Sequence, residues 1–190
     1  MRFGVLKPVA ERAERRGASQ DPLENLMFAV EPFSGTKEEM YEELLRQAKG
    51  LLEGERDMIA NAANVSALIW QIVPDLNWAG FYFMKGGALV LGPFQGKPAC
   101  VRISVGKGVC GTAVSTRATM LVEDVHAFPG HIACDAASNA ELVVPLTKGG
   151  RVLGVLDLDS PSLRRFDAVD QRGFEQLVAF LVAATDFDVR

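Results

Sequence analysis

The chain has no apolar run approaching the roughly 18 residues that a membrane-spanning helix needs. No apolar stretch follows Met1 to serve as a secretory signal. It also has no excess of base: 20 Lys and Arg stand against 24 Asp and Glu, a formal charge of -4. A nucleic-acid surface would need a basic patch, so that class is disfavoured. Cysteine is scarce and odd in number, three in all, which makes a poor secreted disulfide scaffold. There is no C-x-x-C or H-x-x-x-H metal pair, no G-x-x-x-x-G-K-[ST] phosphate loop and no internal repeat. These absences predict a cytoplasmic protein whose thiols rest free and in which any disulfide is transient and catalytic.

What is present is ordinary in amount. The 190 residues are 48% hydrophobic and 23% charged, enough for one domain with a real core. Residues 1–35 differ from the rest. Arg2, Lys7, Arg12, Arg15 and Arg16 alternate with small residues, and Pro22, Pro32 and Gly35 break any long element. Glu11 and Glu14 weigh against a mitochondrial transit peptide, which is poor in acids. The segment reads as an extension that packs on the domain or on a partner subunit, and residues 36–190 read as a single domain.

Thr36 and Glu39 form a capping box, followed at helical spacing by Met40, Leu44, Ala48, Leu51 and Leu52. A second helix places Ile59, Ala62, Ala63, Ala67 and Trp70 on one face and stops before Pro74. The period then falls to two. Trp78, Gly80, Tyr82 and Met84 alternate with Ala79, Phe81 and Phe83, and Gly86-Gly87 turns the chain into Ala88–Leu91. A loop over 92–99 leads to a strand at Cys100–Ser104, a glycine turn at 106–108 and a short helix to Thr116. A brief strand at Met120–Val122 opens a long polar loop. Strands at Glu141–Leu146 and Val152–Asp159 flank Gly149-Gly150. A last helix, capped by Asp167, carries Phe174, Leu177, Val178, Leu181 and Val182. This order predicts an α+β fold: a central antiparallel sheet with helices on one face and loops, with a ligand pocket, over the other.

The three cysteines, Cys100, Cys110 and Cys134, sit in polar or glycine-rich settings (GKPAC, GKGVCG, GHIACD) rather than in apolar runs. Cys110 follows Lys107 and opens a helix, which favours a depressed pKa. Each alone reads as a small buried hydrophobe; three on loops point to redox chemistry. His126, His131 and Cys134 offer zinc ligands without the usual paired spacing. A Cys–His hydrolase is equally unsupported. The glycines of 106–111 suit a tight turn and could turn N–H groups toward an anion such as a carboxylate.

Glu141, Asp157 and Asp159 alternate against leucines and valines. Such alternation is either a solvated outer face or an acid cluster beneath the thiol-bearing loops. Register decides between them. A two-residue Gly149-Gly150 loop pairs Glu141 with Leu158 and separates the acids. A three-residue loop with a glycine bulge, equally open to this sequence, aligns Glu141 with Asp157 or Asp159. Gathered, the acids would bind an ammonium group and, by mutual repulsion, keep a proton for general-acid work. Trp78 and Tyr82 share a strand face, as an aromatic wall or as core.

At NWAGFY (77–82), GPFQGKPAC (92–100), GKGVCGTA (106–113), VEDVHAFPGHIACDAASNAE (122–141) and GVLDLDS (154–160), the sequence resembles the free methionine-(R)-sulfoxide reductases, single-domain enzymes of the GAF fold. The resemblance runs from about Lys37 to Phe187. It implies reduction of free methionine-(R)-sulfoxide by thiols, with thioredoxin as reductant, no cofactor and a homodimer. Carried over by position, it implies that Cys134 attacks the sulfoxide and that Cys100 resolves the sulfenic acid as a disulfide. Cys110 stands as an alternative partner. Glu141, Asp157 and Asp159 would hold the sulfoxide oxygen and the amino group, with Trp78 on the methyl end. A ligand-sensing GAF module without catalysis would not need three thiols. A bilin site would want a histidine following a cysteine. A redox sensor without substrate would form the disulfide and turn nothing over.

Overall fold

The computed structural model describes residues 35–130 and 136–187. The extension expected over 1–35 thus lies outside the described residues except for Gly35. Among the described residues four α-helices and six strands follow in the order α1 (Lys37–Leu51), α2 (Met58–Ile72), β1 (Trp78–Lys85), β2 (Ala88–Gly96), β3 (Arg102–Ser104), α3 (Gly108–Thr116), β4 (Met120–Val122), β5 (Ala140–Lys148), β6 (Arg151–Ser160) and α4 (Ala168–Ala184), with one 3-10 turn at Val125–Ala127. The strands form one antiparallel sheet in the order β3-β2-β1-β6-β5-β4, so the α+β expectation holds. None of the helices among the described residues is long and apolar enough to cross a membrane.

Local chemistry sets the helix starts. The Thr36 hydroxyl accepts from the Glu39 N–H while the Glu39 carboxylate accepts from the Thr36 N–H. Asp167 and Asp170 form the same reciprocal box at the head of α4, and Asp57 caps α2. Helices α2 and α4 cover one sheet face, with α1 packed against both, and Ala79, Phe81, Phe83, Leu142, Val144, Leu146, Leu156 and Leu158 project onto that side.

The face expected for α2 is corrected. Its buried stripe is Ala62, Val65, Leu68, Ile69 and Ile72, while Ile59 and Trp70 stay 50% and 40% exposed. The helix is apolar most of the way round, so periodicity alone does not choose a face. The buried stripe also contains Asn61 and Ser66, which disguised it. Their donors are used there: Asn61 Nδ2 donates to Thr185 Oγ1 at 2.9 Å, and Ser66 Oγ to the Ala62 and Pro93 carbonyls, while Asn61 Oδ1 is buried without a partner.

Strand β2 also runs further than its sequence implied, to Gly96 rather than Leu91. Gly80 pairs with Phe94 and Tyr82 with Leu91, so Gly92 and Pro93 together stand opposite Phe81 in a bulge. The proline is tolerated because β3 pairs with β2 only over Ala88–Val90, leaving this stretch on the sheet edge. Conversely β3 starts at Arg102, not at Cys100. The opposite sheet face carries more than loops: α3 packs there, its Val109, Cys110, Ala113 and Val114 buried with Trp78, Tyr82, Val143 and Val155.

Candidate active site

The turn between β5 and β6 is a two-residue one. Gly149 and Gly150 have φ of 58° and 75°, both in the left-handed region that a type I′ turn requires, and Lys148 pairs with Arg151. Left alone, this turn would separate the acids. A bulge corrects it: Thr147 pairs with Val152 but Leu146 with Gly154, so Leu153 is an extra residue. Beyond it Glu141 pairs with Asp159 and Val143 with Asp157. The next strand continues the rows, Trp78 beside Asp159 and Gly80 beside Asp157. All three carboxylates therefore share the α3 face of the sheet.

That face is not solvated. Glu141 is 6% and Asp157 7% exposed, Asp159 is half-buried, and all three line a cavity with Trp78, Tyr82 and Cys110. Burial above all, then the charges of Asp157 and Asp159, pushes the Glu141 carboxyl well above the ordinary range. Burial likewise raises Asp157 to about 6, against the stabilising hydrogen bonds from Cys110, Glu141 and the Leu158 N–H. Both shifts favour the protonated forms, so this pair holds a proton more tightly than exposed carboxylates do. Asp157 Oδ1 is buried and has no hydrogen-bond partner, so the cluster presents an acceptor to whatever enters.

The thiols divide. Cys110 is a free, buried thiol, its Sγ 4.0 Å from Glu141 Oε1. The depressed pKa expected from Lys107 and the helix start is corrected: burial, followed by the neighbouring Asp157 and Glu141 charges, pushes the thiol well up. Cys100 is disulfide-bonded and half-buried in the connection between β2 and β3. Cys134 lies outside the described residues, as do His131 and Asp135. His126 is exposed, its Nε2 3.0 Å from Asn139 Oδ1.

Trp78 and Tyr82 stack with centroids 5.7 Å apart, and Phe94 stacks on Trp78 at 5.2 Å. Trp78 is both wall and core: it is 3% exposed, and its Nε1 donates to the Lys97 carbonyl at 3.1 Å. Sequence reasoning did not single out Asn77 and Ser138. Asn77 Nδ2 donates to Ser138 Oγ at 2.9 Å, tying the start of β1 to the loop before β5 at the cavity edge. Asn77 heads the NWAGFY stretch, a signal that could have found it. The glycine turn is tight as expected. Its Gly106 N–H goes to the Gly111 carbonyl and its Lys107 N–H to Ser104, so those two donors are spent inside the turn. Among the described residues Cys110, Glu141 and Asp157 are the set able to hold a metal ion, their ligand atoms within 4.8 Å of one another.

Comparison with known proteins gives a matching family model, the GAF domain, over residues 63–186. A free methionine-R-sulfoxide reductase of Escherichia coli (strain K12) is 53% identical over 154 residues, covering 80% of this chain and 93% of that protein. The protein of the same name from Saccharomyces cerevisiae is 46% identical over 153 residues, covering 76% and 85%. Among solved structures, free methionine-R-sulfoxide reductase from Neisseria meningitidis in complex with its substrate aligns with a TM-score of 0.80 at 41% identity. That alignment covers 83% of this chain and 95% of the other.

Proposed function

The chain belongs to the GAF-domain family and, within it, to the free methionine-R-sulfoxide reductases, and on that footing we propose how its own residues reduce free methionine-(R)-sulfoxide to methionine. The observation that carries the reading is the buried carboxylate cluster of Glu141, Asp157 and Asp159 beside the Trp78–Tyr82 wall. Sulfoxide oxygen leaves poorly until protonated, and the upward-shifted carboxyls of the Glu141–Asp157 pair are suited to supply that proton. Asp159 and the ionised partner of that pair bind the substrate ammonium. Trp78 packs on the S-methyl end.

Cys134 is the nucleophile. Its thiol sulfur takes the oxygen of the sulfoxide, giving methionine and a cysteine sulfenic acid; the cysteine is oxidised by two electrons and the substrate reduced by two. The Cys100 thiol then attacks the sulfenic sulfur, expels water and closes a disulfide. An external dithiol, thioredoxin, opens that disulfide by exchange and leaves both thiols reduced. The bonded state of Cys100 and the free, buried state of Cys110 support Cys100 over Cys110 as the resolving residue. Lys97, Pro98 and Ala99 line the same cavity, of about 40 Å³, as the acids and the aromatic wall.

Acids that require an ammonium exclude methionine sulfoxide within a polypeptide, where the amide nitrogen carries no charge. The test is N-acetyl-methionine-(R)-sulfoxide offered beside the free amino acid. Turnover of the free form alone is expected; comparable rates on both would overturn the role given to the carboxylates.

A further inference from the structure

We propose that Cys110, Glu141 and Asp157 also form a site for a thiophilic divalent cation, zinc being the physiological case. The three come from three elements, the first turn of α3, β5 and β6, and converge on one point. A zinc ion bound to sulfur at about 2.3 Å and oxygen at about 2.1 Å, at the tetrahedral angle, holds the two ligand atoms about 3.6 Å apart. Cys110 Sγ and Glu141 Oε1 are 4.0 Å apart, and all three ligand atoms fall within 4.8 Å of one another. Side-chain adjustments of under about an ångström therefore complete the set.

A second, independent observation points to a ligand. Asp157 is more than nine-tenths buried, lines the cavity, and its Oδ1 has no hydrogen-bond partner. A cation between the groups would satisfy that oxygen and cancel the repulsion among the acids. The space of about 40 Å³ exceeds the roughly 10–15 Å³ that a water requires, leaving room for the ion and a water as fourth ligand.

The donor set decides which ion. Magnesium and calcium take oxygen ligands, and a sulfur ligand selects against both. Binding expels the Cys110 thiol proton and whatever proton the two carboxyls hold, with no change in oxidation state. Because it takes the carboxylates assigned above to the substrate, the cation would act as a competitive inhibitor. That consequence rests on the proposed function; the site itself does not.

Cobalt(II) is the probe, added to the purified full chain with its disulfide intact so that Cys110 supplies the thiol. We expect a sulfur-to-cobalt charge-transfer absorption saturating at one equivalent and erased by zinc. Cys110→Ser should abolish the absorption with an unchanged far-ultraviolet circular dichroism spectrum. Glu141→Gln and Asp157→Asn should each weaken cobalt binding, and His126→Ala should leave it unchanged. No absorption in the unaltered chain, or a full absorption in Cys110→Ser, overturns the site. Should Cys110→Ser fail to fold, Asp157→Asn decides: unaltered cobalt affinity in that variant overturns the proposal. A chain that binds cobalt but reduces no sulfoxide would leave the site standing and sink the proposed function instead. Free methionine-(R)-sulfoxide that fails to displace cobalt from an active enzyme overturns the competition.

Discussion

Glu141 stands directly across the β5–β6 ladder from Asp159, and the unpaired Leu153 puts it there. The intervening turn has only two residues, a length that alone would set Glu141 opposite Leu158 and send the acids to opposite faces. One extra residue in β6 reverses the outcome. The acid cluster, and with it the site, depends on a bulge rather than on the turn.

Glu141→Gln tests the cluster. Glutamine keeps the shape of the side chain and removes its exchangeable carboxyl proton. The variant should fold with a melting temperature near that of the parent and lose about a hundredfold or more in kcat/KM. Steady-state kinetics beside thermal unfolding measure both. Activity within twofold of the parent would reduce the cluster to architecture.

The division of the thiols is checked by counting them. Alkylation in denaturant without reductant, followed by peptide mass spectrometry, should label Cys110 alone in the oxidised protein. Cys110→Ser should still accumulate the Cys100 disulfide, whereas Cys100→Ser should not. A Cys110-containing disulfide in the oxidised parent would exchange the two roles.

Gly80 lies where no side chain fits. A Cβ there would meet the Phe94 Cβ at 2.3 Å and the Trp78 ring at 2.8 Å. Gly80→Ala should therefore cost about 1–3 kcal/mol of stability and weaken substrate binding, since Trp78 must shift. Urea unfolding and KM report the two effects separately. Unchanged stability would mean that the β1–β2 bulge is soft.

Asp167 gives a pH signature at the far side of the molecule. Hydrogen bonding to Lys37 first, then capping of the Val169 and Asp170 N–H groups against opposing desolvation, holds its carboxyl at about 2, below the usual carboxylate range. A depressed folded-state pKa means that the contribution is complete above about pH 4 and fades as pH falls through about 2. Asp167→Ala should cost about 1 kcal/mol near neutral pH, the Lys37 pair adding little because its groups are partly exposed. Urea titrations of parent and variant should converge toward pH 2. A constant gap across that range would refute the carboxylate's role.

Much of this was legible in residue order, and the exceptions have physical causes. The capping boxes, the two-residue period of β1 and the stripe of α4 are local patterns, and local patterns survive folding. The face of α2 is not legible locally because Asn61 and Ser66 are buried polar groups whose partners, Thr185 and Pro93, are remote in sequence. The length of β2 is masked in the sequence because Gly92-Pro93 resembles a break yet occupies a bulge. The acids were recognised by type, but their meeting depended on Leu153, and nothing in GRVLGV announces which residue will be extra. The electrostatics of Cys110 are hidden from local sequence because its acidic neighbours arrive from β5 and β6.

The central claim is tested most directly by the stereochemistry of turnover. The R and S epimers of free methionine sulfoxide are supplied separately with thioredoxin, thioredoxin reductase and NADPH, and the loss of NADPH is followed. The account predicts turnover of the R epimer alone, abolished by Cys134→Ser. Equal rates on both epimers, or full activity in that variant, would contradict it.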